Sequence, residues 1–149
     1  MGREFEERSR AEAHRLRAIA ARLSEEALAR PIDPPWTAAA LFAHMAFWDR
    51  FCHARWRHAA KTGSGTPLPV DDALLDLIND ADLLHWAAIP PRTAVEECLE
   101  AAGKVDALIA SLDANIVSQV LAEGRERLVD RSIHRREHLL TIEAAFPSP

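Results

Sequence analysis

Proline placement constrains this chain more than any other feature. Its nine prolines fall at Pro31, at Pro34 and Pro35, at Pro67 and Pro69, at Pro90 and Pro91, and at Pro147 and Pro149. A proline inside a helix removes an N–H and clashes with the preceding turn, so each position ends or starts an element. Between the breaks lie long intervals rich in Ala, Leu, Arg and Glu, with only five Gly in the whole chain and no Tyr. That is the vocabulary of helices. The β-branched clusters that strands need are missing. These intervals predict an all-α chain.

The first interval predicts a helix from about Arg3 to Arg30, with apolar marks at Phe5, Ala13, Leu16, Ile19, Leu23 and Leu28. Pro34-Pro35-Trp36 predicts a rigid extended entry, and Thr37 an N-cap for a second helix ending near Lys61. Residues 62–69 are the one long linker, rich in Gly and Pro and long enough for a crossover. Asp71 or Asp72 caps a third helix to about Ala88. Thr93, with Glu96 three residues on as a capping box, opens a fourth to about Leu112. Ile116–Glu123 reads as a short turn of helix, and Arg125–Phe146 as the last long one. Four helices of about 17–27 residues plus a short extra element fit a four-helix bundle. The short join between the first two helices predicts antiparallel neighbours. At 149 residues and 48% apolar content, one domain over 1–149 has a sizeable core.

Eighteen Lys and Arg against 23 Asp and Glu, a net charge of −5, lack the basic excess that a phosphate backbone demands. No run approaches the roughly 18–20 apolar residues of a membrane span. The charged start, Met1 to Glu7, has no apolar stretch of the signal-peptide kind. The expectation is a cytoplasmic protein without nucleic-acid or membrane partners. Cys52 and Cys98 stand apart with no CxxC pair. They read as free, mostly buried thiols, with a disulfide or metal thiolate as the alternative.

Of seven histidines, three stand out. His44 lies inside the apolar stripe of the second helix, formed by Leu41, Met45, Trp48, Phe51 and Cys52. His53 falls on the opposite side, and His58 lies about 20 Å further along the axis. His14 reads as a surface residue, and His85 has no partner in sequence. His134 and His138 stand four apart on one helical face, with Cβ atoms about 5–6 Å from each other, close enough to chelate one ion. Their face borders the stripe of Leu128, Leu139, Ile142 and Phe146. An HxxxH pair alone also fits two solvated or capping imidazoles. A third imidazole on another helix's apolar face changes that reading, because three polar rings meeting around a cation lose the cost of being unpaired in a core. Three protein ligands with an open position is the arrangement of a catalytic metal site.

Pro35-Trp36-Thr37 leading to His44-Met45-Ala46-Phe47-Trp48-Asp49-Arg50-Phe51, with a terminal His134-Arg135-Arg136-Glu137-His138-Leu139, resembles the DinB/YfiT-like superfamily of metalloenzymes, related to the maleylpyruvate isomerase-type metal-binding domain. The resemblance covers nearly the whole chain in length and helix order. It implies an up-down-down-up four-helix bundle with a long crossover between helices two and three, often dimeric. It also implies a divalent metal, Ni or Zn first, held by His44, His134 and His138. Residues 134–138 also read HxxEH, the inverted zincin pattern, in which Glu137 would act as general base. Those proteases take a further ligand well downstream, and only eleven residues follow His138.

Around the site, Asp130 reads either as an acceptor for an imidazole N–H or as a surface ion pair. Arg127 and Arg131 extend the ligand face and could meet an anionic group, or form a solvated face. Glu137 reads first as an exposed charge pairing with a basic residue. Trp48 and Phe51 are core or pocket wall. Asn79 interrupts the stripe of Leu75, Leu83 and Trp86 and reads as a hydrogen-bonding residue of the bundle or a substrate contact. By analogy with low-molecular-weight-thiol transferases and maleylpyruvate isomerase-like proteins, the expected function is metal-dependent thiol transfer or hydrolysis on a small substrate. The alternatives are a non-catalytic metal- or ligand-binding bundle for stress response or sensing, and a plain structural interaction domain. The residues themselves point only to the metal.

Overall fold

The computed structural model describes residues 3–149 and is mostly helical; Met1 and Gly2, the start of the charged N-terminal run, lie outside the described residues. Helix α1 spans Glu4–Arg22 and buries Phe5, Ser9, Ala13, Leu16, Ile19 and Ala20 at helical spacing. The single helix expected to Arg30 is in fact two. Leu23 is extended, and the Ser24 side chain accepts the Ala27 N–H at 3.0 Å, so a new short helix, α2, covers Glu25–Ala29. A serine followed by two glutamates is a stronger start signal than the apolar stripe is a reason to continue.

The expected extended entry is a small antiparallel ribbon, with β1 (Pro31–Asp33) paired to β2 (Trp36–Thr37) in the register Pro31 to Thr37. Thr37 caps α3 (Ala38–Thr62), accepting the Ala40 N–H at 3.0 Å. Gly63, at φ 72°, closes it in the left-handed conformation that glycine adopts without strain. Helix α4 (Asp72–Ala88) starts at Asp71, whose carboxylate accepts the Ala73 N–H.

Helix α5 runs Pro91–Ala110. Thr93 is therefore not its cap: Pro91 suits the first helical position, where its missing N–H has no partner to lose, and the chain enters the helix before Thr93. Helix α6 (Ala114–Ala122) is capped by Asp113. The expected last helix from Arg125 is also broken, into a 3-10 turn at Glu126–Leu128 and α7 at Ser132–Ala145. The break sits where the Asp130 carboxylate accepts both the N–H and the hydroxyl of Ser132, a local bond that competes with continued helix.

Helix α3 is the axis of the molecule. It packs most extensively on α5 and also touches α4 and α7, while α1 lies chiefly against α7 and α5. The first two long helices are thus not the close antiparallel pair expected, because α2 and the ribbon fill the interval between them. The core has two apolar clusters. One gathers Leu16, Leu28, Phe42, Met45, Leu139 and Ile142, and the other Phe5, Cys52, Trp56, Val105, Val117 and Val120. Charged residues lie where they meet, at Asp49 on α3 and Arg135 on α7. Among the described residues, no single helix is long and apolar enough to cross a membrane.

Candidate metal centre

Helix α3 delivers His44 to the start of α7, which presents His134 and His138 one turn apart. The Nε2 atom of His134 lies 3.0 Å from His44 Nε2 and 3.0 Å from His138 Nε2. One ligand nitrogen from each ring lies within 4.8 Å of the other two. A neutral ring nitrogen carries either one hydrogen or one lone pair. Three nitrogens converging this closely cannot all satisfy one another, whereas a cation accepts three lone pairs at once.

All three rings are held neutral. Burial lowers the His44 imidazole to about 3, with a further push from His138. Burial drives His134 well below its ordinary value, aided by the positive charge of Arg131. His138 is lowered by burial too, against a smaller opposing pull from Glu137. Neutral imidazole is the form that ligates metal.

The outer side of the rings is unusual. The Nδ1 atoms of His44 and His134 are buried without a hydrogen-bond partner among the described residues. Metal-ligating histidines ordinarily aim themselves through that atom. Here His44 is aimed by packing: Trp36 of β2 meets its ring edge-on at 5.5 Å, Trp86 of α4 at 4.9 Å, and Trp48, one turn along α3, at 6.4 Å. The donor set therefore fits a divalent cation held by nitrogen alone.

The remaining candidates distribute unevenly. Trp48 is half-buried, and its Nε1–H donates to the Asn79 side-chain oxygen at 2.9 Å, tying α3 to α4 beside the cluster. Asp130 does not serve an imidazole: the break before α7 turns its carboxylate to Ser132 and to Arg8, at 2.8 Å. Arg131 is not on a solvated face; it is buried, donating to Asp49 at 2.8 Å and to the Arg127 carbonyl. Glu137 is exposed and paired with Arg127 at 2.7 Å, across the helix break rather than a turn away. His14, His58 and His85 are exposed, and His53 is half-exposed. Cys52 and Cys98 are free and buried.

Two features were missed by reading the sequence. One is the buried pairing of Asp49 with Arg131 and Arg135, for which Arg135 inside the His134–His138 turn was the available signal. The other is the aromatic cage, of which Trp36 and Trp86 appeared only as an element marker and a stripe member. The imidazoles open onto a cleft of about 1030 Å³ whose walls include Trp36, Trp48, Phe51, Asn79 and Arg131.

No curated protein and no solved structure gives a match to the chain. A family model described as the DinB superfamily matches residues 9–142, which include all three histidines and most of every long helix. With that match over the greater part of its length, the chain belongs to the DinB superfamily.

Proposed function

We propose that this chain is a divalent-metal protein, with Ni or Zn as the first candidates, and that it carries out thiol transfer or hydrolysis on a small substrate at the three histidines. The reading rests on the convergence of His44, His134 and His138 nitrogens at the wall of a large cleft. Ligands from one side only leave a coordination position toward the cleft. A bound divalent cation would supply Lewis acidity undiminished by its three neutral ligands.

The chain's own residues do the rest. Burial keeps the imidazoles unprotonated at neutral pH. Trp36 and Trp86 hold the His44 ring edge-on, and Trp48 and Phe51 give a substrate an apolar wall that excludes water. The finer architecture we assign is the up-down-down-up bundle with residues 63–71 as the crossover, working as a cytoplasmic homodimer on a low-molecular-weight thiol. One observation favours a second reading, a non-catalytic metal- or ligand-binding bundle: Glu137, the carboxylate nearest in sequence to the histidines, is already paired with Arg127.

Metal content by plasma mass spectrometry tests the first step, on protein purified without a histidine tag or chelator. Near one equivalent in the wild type, lost in His44→Ala and His138→Ala, is expected. No metal after incubation with Zn or Ni overturns it. A loaded protein that fails to turn over thiol substrates leaves the binding bundle.

A further inference from the structure

The cleft has a chemical direction that the three histidines alone do not explain. On α3, the residues His44, Trp48, Phe51 and Arg55 follow one another at intervals of four, three and four, so they share one face of the helix, and all line the cleft. The row spans eleven residue steps, about 16 Å along the axis. The rest of the lining includes His138 and His134 beside His44, and Arg131, Arg127 and Arg125. Of these, Arg125 donates to the Pro67 carbonyl, next to the Leu68 carbonyl that Arg55 holds. The cleft thus has imidazoles at one end and the Arg55 and Arg125 guanidinium groups at the other.

Arg55 is the distinctive member. Its Nη2 donates to the Leu68 carbonyl at 2.6 Å and its guanidinium carbon lies 5.6 Å from the centre of the Phe51 ring, so the group is held in place. The other arginines of the cleft have carboxylate partners: Arg125 pairs with Glu123, Arg127 with Glu137 and Arg131 with Asp49. No ion pair joins Arg55 to any carboxylate among the described residues, although Asp72, Asp76 and Glu126 line the same cleft. Partial burial lowers its basicity against a smaller opposing pull from Cys52, and the positive charges of Arg125 and Arg131 add to the lowering. A half-buried guanidinium with free donors and cationic neighbours is a place where an anion is stabilised.

We infer that the cleft takes a small elongated organic acid, its carboxylate on Arg55, its apolar middle against Trp48 and Phe51, and its far end at the three histidines. The assignment of the far end rests on the metal reading above; the carboxylate end stands on Arg55 alone.

Titration calorimetry of the full chain with 4-phenylbutyrate and its neutral amide, 4-phenylbutyramide, tests this in chelator-treated and zinc-incubated protein. The acid should bind about tenfold more tightly than the amide in both preparations. Arg55→Gln should reduce acid binding to the level of the amide while leaving the amide unchanged, and Arg55→Lys should keep most of the preference. Failure of the acid to bind, equal binding of acid and amide, or a preference that survives in Arg55→Gln would overturn the inference. A preserved acid preference in protein that never takes up zinc would sink the metal reading and leave the carboxylate site standing.

Discussion

Asp49 and Arg135 meet at 3.1 Å with both side chains only 1% exposed, joining the helix that carries His44 to the helix that carries His134 and His138. The second Asp49 oxygen takes Arg131 at 2.8 Å, and Arg135 reaches on to both oxygens of Asp106 on α5, each at 2.9 Å. Two guanidinium groups thus share one carboxylate, and one guanidinium bridges two carboxylates, so few donors are left unpaired away from water. The arrangement fixes the rotation of α7 on α3. A slip of one residue would turn His134 and His138 by about 100° and dissolve the cluster.

Removing Asp49 leaves the buried Arg131 without a carboxylate and Arg135 with Asp106 alone. Asp49→Ala should therefore cost roughly 3–5 kcal/mol in urea unfolding, the scale expected when one member of a buried ion pair is deleted. Asp49→Asn keeps the shape and some hydrogen bonding, and should cost less. A loss below about 1 kcal/mol for Asp49→Ala would mean that the network contributes little.

Acid should destabilise the chelator-treated protein through its histidines. Each of the three imidazoles titrates lower in the folded chain than the value of about 6.5 expected when unfolded. Above that value both states are neutral and pH has no effect through these groups. Below it the unfolded chain binds protons that the folded chain refuses, so stability falls as pH falls, down to about 3 for His44. The slope approaches about 1.4 kcal/mol per pH unit for each such imidazole. Asp106 acts in the opposite sense, since burial raises it and folding favours its protonated form. Urea midpoints at pH 7.5, 6.5 and 5.5 should be lower at the acid end in wild type and flatter in His134→Gln. A flat wild-type series would contradict the burial of neutral rings.

What could be read from the chain was whatever periodicity and spacing encode. His44 sits on an apolar stripe and helix geometry puts His134 and His138 one turn apart, while the meeting of all three was what the family resemblance implied. The break at Leu23 was hidden because Leu16, Ile19, Leu23 and Leu28 keep an apolar rhythm straight across it. The ribbon at residues 31–37 is too short for alternation to register. Arg135 and Arg136 look alike as neighbours, yet one is buried and the other exposed. The choice is made by Asp49 and Asp106, which lie far off in sequence. Arg55 was invisible for a similar reason, since its lack of a carboxylate is a property of the folded wall.

Both thiols should be inert in the folded protein. Burial raises the Cys52 and Cys98 thiols above their ordinary range, and Cys52 donates to the Leu128 carbonyl at 3.4 Å. The thiolate is the reactive form, and burial also bars the reagent. Ellman's reagent should find essentially no thiol in the native chain and both cysteines in denaturant. Rapid reaction of either one without denaturant would show that the core opens there.

Helix α4 should be the most labile wall of the cleft. Of its seventeen residues only Trp86 is fully buried, at 2% exposure, while Leu74, Leu77 and Leu84 stand 49–73% exposed. It is attached to α3 chiefly through Trp86, packed on His44 and Phe47, and through the Trp48 to Asn79 hydrogen bond. Sparse burial lowers the free energy of local opening, so amide hydrogen exchange should be faster across α4 than across α3 or α5. Asn79→Ala should raise exchange further in α4, because the Trp48 N–H loses its acceptor, and leave α5 unchanged. Protection in α4 equal to that of α5 would mean that the wall is rigid, and a ligand would then have to enter a cleft already open.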